Sequence, residues 1–212
     1  MTLALYDYLP SQNCYKVRLL LSHLQRAYRT KYISIFEGEG QELHFLRINP
    51  MGAVPAIELG DGRCLAESNA ILCFLAEGTA YLPDEPYERA KTLQWLFFER
   101  SYISPSIATL RYWTLTGKLD AQQSLEGRRA IGQRALAVLD ELFGEHPFAA
   151  GAAYTVADIS LFAYTHLAED AGFPLAPYPG VRAWVERVRS QPGFLAEIHP
   201  YSIDPHSSNE LP

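Results

Sequence analysis

The sequence predicts an α/β domain followed by an all-α domain. Strand-like and helix-like segments alternate as βαβ and then ββα in the first part of the chain, whereas from Asp84 onward apolar residues recur almost throughout at helical spacing. Pro83 and Pro86 interrupt the chain between the two patterns and indicate a linker. The predicted boundaries are residues 1–78 for the α/β domain, 79–88 for the linker, 89–200 for the helical domain and 201–212 for a loosely ordered tail.

The α/β domain opens with a predicted βαβ unit. Residues 3–6 form a short apolar run, and Val17, Leu20, Leu21 and Leu24 then recur at the spacing of a one-sided amphipathic helix. The aromatic and β-branched stretch at 31–36 predicts the second strand. A βαβ unit implies that its two strands pair in parallel.

A ββα unit follows. The apolar residues at 54–59 predict a strand, and Asp61-Gly62 predicts a tight turn into an antiparallel partner at 63–66. Glu67-Ser68-Asn69 then opens a helix.

The helical domain contains several apolar stripes. Pro105 falls inside the first, where it removes a backbone donor and predicts a kink. Thr155-Val156-Ala157-Asp158 has the pattern of a capping box before a further helix. The stripe residues are Leu93, Leu96, Phe97, Ile103, Ile107 and Leu110, then Ile131, Ala135, Val138, Leu139 and Leu142, and last Val181, Trp184, Val185 and Val188.

Composition and charge narrow the function classes. The 212 residues carry a net charge of −6 and no run of basic residues, so we expect no nucleic-acid partner. No apolar stretch approaches the length that spans a bilayer, and the amino terminus lacks the pattern of a secretory signal. Cys14, Cys64 and Cys73 are odd in number and have no metal-type spacing. These features favour a cytoplasmic protein without membrane or metal.

The junction of the first strand and first helix is a candidate anion site. Backbone N–H groups and the positive end of the helix dipole converge there, and the Ser11 hydroxyl could stabilise a thiolate or merely cap the helix. Cys14 in the same turn could act as a nucleophile, although core packing is the preferred interpretation. We interpret Cys64 and Cys73 as structural residues of an apolar strand and a buried helix.

Two further segments have the chemistry to bind a peptide. A cis bond at Val54-Pro55 would leave the Val54 backbone free to pair with an extended ligand, whereas the alternative is an ordinary trans proline at a strand edge. Ser68 is a good N-cap whose neighbouring N–H groups suit a carboxylate, and Glu67 suits an ammonium group; the alternative is a plain helix cap.

Taken together and in this order, these motifs resemble the glutathione S-transferases. In that family Asn-Pro and then Val-Pro precede Glu-Ser at the end of a thioredoxin-like domain, and a capping box lies in the helical domain. The matching motifs here are Asn49-Pro50, Val54-Pro55, Glu67-Ser68-Asn69-Ala70-Ile71-Leu72 and Thr155-Val156-Ala157-Asp158. The resemblance extends to about Phe194 and is more specific for the fold than for the reaction.

The resemblance implies glutathione as co-substrate and a role for each matching residue. Pro55 is then the cis proline, Val54 pairs with the cysteinyl part of glutathione, and Glu67 and Ser68 hold the γ-glutamyl group. Ser11, in a context similar to the theta and zeta-like classes, becomes the thiol-activating hydroxyl, with Asn13 as a possible second donor.

One position departs from the family. Many members place Lys or Arg directly before Val-Pro to meet the glycine carboxylate, but here the residue is Ala53. Gln41, His44 or Arg47 would have to supply that contact, and we rank Gln41 first.

The helical domain is expected to supply the site of a small hydrophobic electrophile between the two domains. The residues expected to wall that site are Tyr102, Ser106, Arg111, Tyr112 and Trp113, of which only one or two are expected to contact substrate. The leading functional prediction is a homodimeric glutathione S-transferase of detoxifying type. The alternatives are a glutathione-dependent isomerase or dehalogenase, and a non-catalytic interaction or regulatory module.

Overall fold

The chain folds into two compact units. The computed structural model describes residues 3–119 and 125–209, and for residues 208 and 209 it describes the backbone alone. The first unit runs to Ala76 and is joined by the segment that begins at Pro192, and the second unit comprises Glu77–Gln191. The first is a thioredoxin-like α/β unit, and the second consists of helices in its described residues.

The first unit is built on a mixed sheet of four strands. The strands are β1 (Leu3–Asp7), β2 (Tyr28–Tyr32), β3 (Ala56–Glu58) and β4 (Cys64–Ala66). Their spatial order is β2-β1-β3-β4. The β1 and β2 strands pair in parallel, while β3 pairs antiparallel with both β1 and β4, so the predicted βαβ and ββ units are confirmed.

The α-helices in the described part of the unit are α1 (Gln12–His23), α2 (Leu43–Leu46) and α3 (Ser68–Ala76). Helices α1 and α3 pack together, and α3 also contacts β3 and β4. An apolar cluster of the unit contains Tyr6, Ile33, Phe45 and Ala56, and Val54 packs against it. The segment that carries Val54 is therefore anchored in the core.

The prediction of β2 at 31–36 was wrong by several residues. Parallel pairing with β1 runs from Leu3↔Tyr28 to Asp7↔Tyr32 and ends where β1 ends. Because β2 is an edge strand whose last four residues are exposed, its backbone hydrogen bonds define it and no buried side-chain pattern marks it.

The helical unit contains α4 (Pro86–Phe98), α5 (Thr109–Leu115), α6 (Leu125–Glu145), α7 (Val156–Thr165) and α8 (Pro179–Arg189). A π-helical stretch, Glu99–Ala108, joins α4 to α5 and contains Pro105. The wider π turn shifts the hydrogen-bond pattern around the residue that lacks a donor. Pro105 therefore changes the helix type at the predicted position.

The predicted stripe of α6 is partly wrong. Ile131 and Val138 are exposed, and the buried side of the helix carries Gly132, Leu136 and Phe143 in addition to the expected Ala135 and Leu139. None of the helices within the described residues is long and apolar enough to cross a membrane.

The expectation that the helical domain extends to residue 200 and that a loose tail follows is wrong. Residues from Pro192 onward return to the α/β unit, where Ser22 and Tyr15 donate hydrogen bonds to the carbonyls of Gly193 (2.7 Å) and Leu195 (2.6 Å). Beyond Pro200 the chain forms two short 3₁₀ turns with Asp204 buried. Specific side-chain hydrogen bonds order this polar segment, which composition alone does not reveal.

Candidate active site

The β1–α1 junction presents a hydroxyl at the start of a helix. Ser11 is the N-cap of α1, and its Oγ accepts a hydrogen bond from the Cys14 N–H at 3.4 Å. That bond uses an oxygen lone pair, and the hydroxyl proton meets no acceptor among the described residues. The first turn of α1 contains no acidic residue, so its positive end remains available to an anion. Capping and thiolate stabilisation by Ser11 are therefore compatible.

Cys14 is unsuited to nucleophilic chemistry. Its side chain is fully buried, and its Sγ accepts the Tyr8 N–H at 3.4 Å. Burial, reinforced by the nearby Asp7 carboxylate, raises the pKa of the Cys14 thiol far above its ordinary value. This confirms the core-packing interpretation of Cys14, and the remaining candidate nucleophile at this junction is the thiol of a ligand.

The β4–α3 junction meets the β1–α1 junction at one point. The Ser68 Oγ donates to the Asn13 Oδ1 at 3.5 Å, which joins the starts of α3 and α1. The amide nitrogen of Asn13 donates to no described residue and is available to a ligand. The two helix starts that were predicted to hold the thiol and the γ-glutamyl group of a tripeptide are therefore neighbours.

Glu67 has an uncommon backbone conformation. Its φ is 66°, in the left-handed region, and its carbonyl accepts the Ile71 N–H at 2.9 Å. Ser68 is thus the first residue of α3 and not its N-cap, which corrects the sequence interpretation by one position. Strain of this kind in a non-glycine residue clusters at functional sites.

The Val54-Pro55 peptide bond is cis. Among the described residues, neither the backbone N–H nor the C=O of Val54 makes a hydrogen bond, although the Val54 side chain packs into the core. Asn49 braces this segment, because its Nδ2 donates to the Ala53 carbonyl at 2.6 Å and its Oδ1 accepts the Met51 N–H at 3.1 Å. The result is an unpaired backbone donor and acceptor held in a fixed place.

Gln41, one of the three candidates to replace the missing cation, is in direct contact with this segment. The Gln41 Nε2 lies against Gly52, where an added Cβ would overlap it. His44 is exposed and lies 3.0 Å from a carboxylate oxygen of Glu42, and Arg47 is exposed. The role of Gln41 at the glycine carboxylate stays a prediction, and the contact with Gly52 places its amide beside the Val54 segment.

The backbones of Gly40 and Gly52 are in direct contact. A Cβ added at either residue would overlap the carbonyl oxygen of the other. The close approach joins the segment after β2 to the segment before Val54, and sequence reasoning did not find it. The available signal was the glycine at each position, since Gly52 also has a φ of 64°.

The expected electrophile residues of the helical unit divide into two groups. Ser106 is fully buried and its hydroxyl donates within its own helix, to the Tyr102 carbonyl, while Arg111 is buried with its Nε 2.9 Å from Asp170 Oδ2. Both are engaged in internal contacts, so their expected role in binding an electrophile is withdrawn. Tyr102 is 49% exposed and Tyr112 is half-buried, and these two remain candidates.

No group of three or more His, Cys, Asp or Glu side chains within the described residues is arranged to hold a metal ion. The site consists instead of a hydroxyl, an amide, helix starts and unpaired backbone groups. These are the groups that recognise a small peptide carrying an anionic sulfur.

Comparison with known proteins agrees with this geometry. Residues 1–77 match the family model of the glutathione S-transferase N-terminal domain, and residues 122–187 match that of the C-terminal domain. The disulfide-bond oxidoreductase YfcG of Escherichia coli is 32% identical over 86% of this chain and 88% of its own length. Glutathione S-transferase 2 of Anopheles gambiae is 31% identical over 91% of this chain and 94% of its own. The crystal structure of a glutathione S-transferase from Pseudomonas fluorescens superimposes with a TM-score of 0.88 at 42% identity, covering 91% of this chain and 97% of that one.

Proposed function

The chain belongs to the glutathione S-transferase family, and on that premise we propose that it binds glutathione and directs the thiol of glutathione at a hydrophobic electrophile. One observation carries the proposal: the helix starts bearing Ser11 and Ser68 meet through the contact between Ser68 and Asn13. A ligand that presents a thiolate to one helix start and a carboxylate to the other can use both at once.

Each part of glutathione has a proposed partner. The cysteinyl backbone pairs with the N–H and C=O of Val54, beside the cis Pro55. The γ-glutamyl carboxylate binds at Ser68 and its ammonium group at Glu67, while Gln41 takes the glycine carboxylate as a hydrogen-bond donor. Because Gln41 is neutral, the affinity at the glycine end should be lower than in family members that have a cation at the Ala53 position.

Thiol activation is proposed to depend on Ser11. Its hydroxyl proton donates to the glutathione sulfur, and the unopposed positive end of α1 adds to that stabilisation. Lowering a thiol pKa by two units corresponds to about 2.7 kcal/mol, within the range of one charge-assisted hydrogen bond and a helix terminus. The Asn13 amide nitrogen is the proposed second donor.

The experiment for this mechanism compares Ser11→Ala with Ser11→Thr. Ser11→Ala should lower the conjugation rate at neutral pH by a factor on the order of 10 to 100 while glutathione still binds, because the bound thiol ionises less. Ser11→Thr retains a hydroxyl and should retain most of the rate. The pKa of the bound thiol, followed by ultraviolet absorbance of the thiolate, should rise only in Ser11→Ala. Turnover of Ser11→Ala equal to that of the wild type would exclude the role of Ser11.

A second candidate is glutathione-dependent disulfide reduction, which the similarity to an E. coli disulfide-bond oxidoreductase favours. A glutathione thiolate would attack one sulfur of the substrate disulfide and release a thiol. A second glutathione would then displace the remaining thiol and leave glutathione disulfide. Cys14, the cysteine of the β1–α1 junction, is buried, and the exposed Cys64 lies on β4 and not at that junction. Both sulfur nucleophiles in this scheme are therefore proposed to come from glutathione.

Titration with glutathione, followed by parallel assays, separates the candidates. Consumption of aryl or alkyl halides supports the transferase, and reduction of a dialkyl disulfide supports the oxidoreductase. Glutathione-dependent isomerisation or dehalogenation would appear as product formation without net conjugation. Absence of binding at millimolar glutathione would favour the regulatory alternative, which Ala53 keeps open.

The assembly and location of the protein are also part of this proposal. Membership of the family supports a homodimer, which sedimentation at micromolar concentration will test. The three cysteines are free, in accord with a cytoplasmic location.

A further inference from the structure

The chain beyond Pro200 forms an ordered strap on the α/β unit. We define the strap as Tyr201–Ser207, a segment that sequence composition assigned to a loose tail. The Tyr201 ring stacks on Tyr8, with 6.2 Å between ring centroids, and meets Phe36 edge-on at 6.1 Å. These contacts reach both the beginning of the β1–α1 loop and the segment after β2.

Asp204 anchors the strap. Its side chain is 1% exposed, its Oδ2 accepts the Ser34 hydroxyl at 2.7 Å, and its Oδ1 accepts the His206 N–H at 3.0 Å. The His206 ring also contacts a carboxylate oxygen of Glu37. A buried carboxylate is costly unless it is hydrogen-bonded, so Ser34 and Asp204 hold each other in one geometry.

Ser34 transmits this hold to the segment 34–41. Its N–H donates to the Glu39 Oε2 at 2.7 Å, and its Oγ accepts the Phe36 N–H at 3.2 Å. Glu39 begins the 3₁₀ turn Glu39–Gln41, so the position of Ser34 determines where that turn lies.

The 3₁₀ turn Glu39–Gln41 packs on the segment before Val54. The Gly40 backbone touches the Gly52 backbone, and the Gly52 N–H donates to the Asn49 carbonyl at 2.9 Å. Gly52 is two residues from Val54. A continuous series of contacts therefore runs from Asp204 through Ser34 and Gly40 to the unpaired backbone groups of Val54.

We propose that Asp204 is a positioning residue of the glutathione site, acting through Ser34 and the Gly40–Gly52 contact on Gln41 and Val54. The inference rests on the proposed function, because it concerns how that site is held in the conformation that binds its ligand. Asp204 does not touch the ligand in this scheme. Its loss should weaken glutathione binding and leave the thiol chemistry at Ser11 unchanged.

The test compares Asp204→Ala and Ser34→Ala with Ser202→Ala, an exposed strap residue that serves as the control. Each of the first two should raise the KM and Kd for glutathione about tenfold, because ligand binding must then also order segment 34–41. The kcat at saturating glutathione should stay within about twofold of the wild type. The effect of the double variant should be smaller than the sum of the two single effects, because both variants remove the Ser34–Asp204 contact.

A conservative variant and a ligand-free measurement complete the test. Asp204→Asn keeps an oxygen that accepts the Ser34 hydroxyl and should recover most of the affinity. Amide hydrogen exchange over residues 34–41, measured without glutathione, should accelerate in Asp204→Ala and Ser34→Ala but not in Ser202→Ala. If Asp204→Ala fails to fold, Ser34→Ala still decides the result, because that variant leaves the strap sequence intact.

The outcomes separate this inference from the proposed function. Wild-type exchange and wild-type KM in both variants would overturn the positioning role, and so would a loss confined to kcat. If the wild-type protein itself binds no glutathione, the proposed function fails, and accelerated exchange would then support only the hold of the strap on segment 34–41. Unchanged amide hydrogen exchange in both variants would overturn the proposal that the strap holds segment 34–41, whether or not glutathione binds.

Discussion

At the scale of single residues, the cysteines show how local context misleads. Cys14 was expected in the core and is there, but Cys64 was expected to be structural and is exposed. The apolar neighbours of Cys64 indicated a strand correctly. Whether its side chain is buried depends on the place of β4, a three-residue strand at the edge of the sheet after the Asp61-Gly62 turn. Apolar composition does not reveal that place.

Two substitutions of Glu67 separate the effect of its backbone conformation from the effect of its carboxylate. The φ of Glu67 is 66°, so Glu67→Gly relieves the strain of the left-handed backbone and Glu67→Ala does not. The free energy of unfolding of the glycine variant should therefore exceed that of the alanine variant by about 1 kcal/mol. Both variants lack the carboxylate proposed to meet the ammonium group, so glutathione affinity should fall to the same extent in both. Urea unfolding and glutathione titration measure the two effects. Unequal affinities would mean that backbone geometry, and not the carboxylate, governs binding at this residue.

His166 provides a pH-dependent prediction. Its ring stacks on that of Phe162, with 4.1 Å between the ring centroids, and its Nδ1 lies 2.5 Å from the Phe162 carbonyl oxygen. Burial lowers the pKa of His166 to about 4. The unfolded chain therefore binds this proton first as pH falls, so the contribution of His166 to stability is present above pH 6.5 and is lost as the pH falls toward 4.

The measurement for His166 is the difference in unfolding free energy between the wild type and His166→Phe across that window. The Phe variant keeps a flat ring for stacking but cannot bind a proton, so the advantage of the wild type should shrink from pH 6.5 to pH 4. A difference that does not change with pH would show that His166 titrates as it does in the unfolded chain.

At the scale of elements, the start of α7 shows a local motif serving a tertiary role. Thr155 and Asp158 form the predicted capping box. Asp158 also accepts hydrogen bonds from the Ala149 N–H at 2.8 Å and from the Trp184 Nε1 at 2.9 Å. Burial raises the pKa of Asp158 to about 6 despite these donors. One carboxylate therefore joins α7 to the preceding loop and to α8.

The additional contacts of Asp158 predict that two variants within one capping box will lower the free energy of unfolding by different amounts. Thr155→Ala should cost about 1 kcal/mol, the usual value of a cap. Asp158→Ala leaves several buried donors unpaired and should cost about 3–5 kcal/mol. Urea unfolding at a single pH measures both. Equal costs would mean that the Ala149 and Trp184 contacts contribute nothing beyond the cap.

At the scale of the whole molecule, the end of the chain completes the unit with which the chain begins. Pro192 and Leu195 lie against α1, where the His23 Nδ1 is 2.7 Å from the Pro192 carbonyl and Tyr15 donates to the Leu195 carbonyl at 2.6 Å. The α/β unit thus consists of two stretches that are distant in sequence. We expect its stability to depend on the contacts between these two stretches.

Truncation tests this arrangement. A chain ending at Gln191 loses every contact of the returning segment and should leave the α/β unit more open to proteolysis, while the helical unit remains resistant. A chain ending at Pro200 keeps the contacts to α1 and loses only the strap, so its α/β unit should remain folded. Limited proteolysis with mass analysis of the fragments distinguishes the two. Equal resistance of both chains would show that residues 192–200 do not stabilise the unit.

The sequence by itself determined the order of the elements, the capping box of α7 and the site motifs around Ser11, Val54 and Ser68. These depend on periodicity, caps and turns, in which the interacting residues are a few positions apart. The tertiary structure alone decided the register of β2, the Gly40–Gly52 contact and the strap. Asp204 and Ser34 are 170 positions apart, and only the folded chain brings such a pair within hydrogen-bond distance.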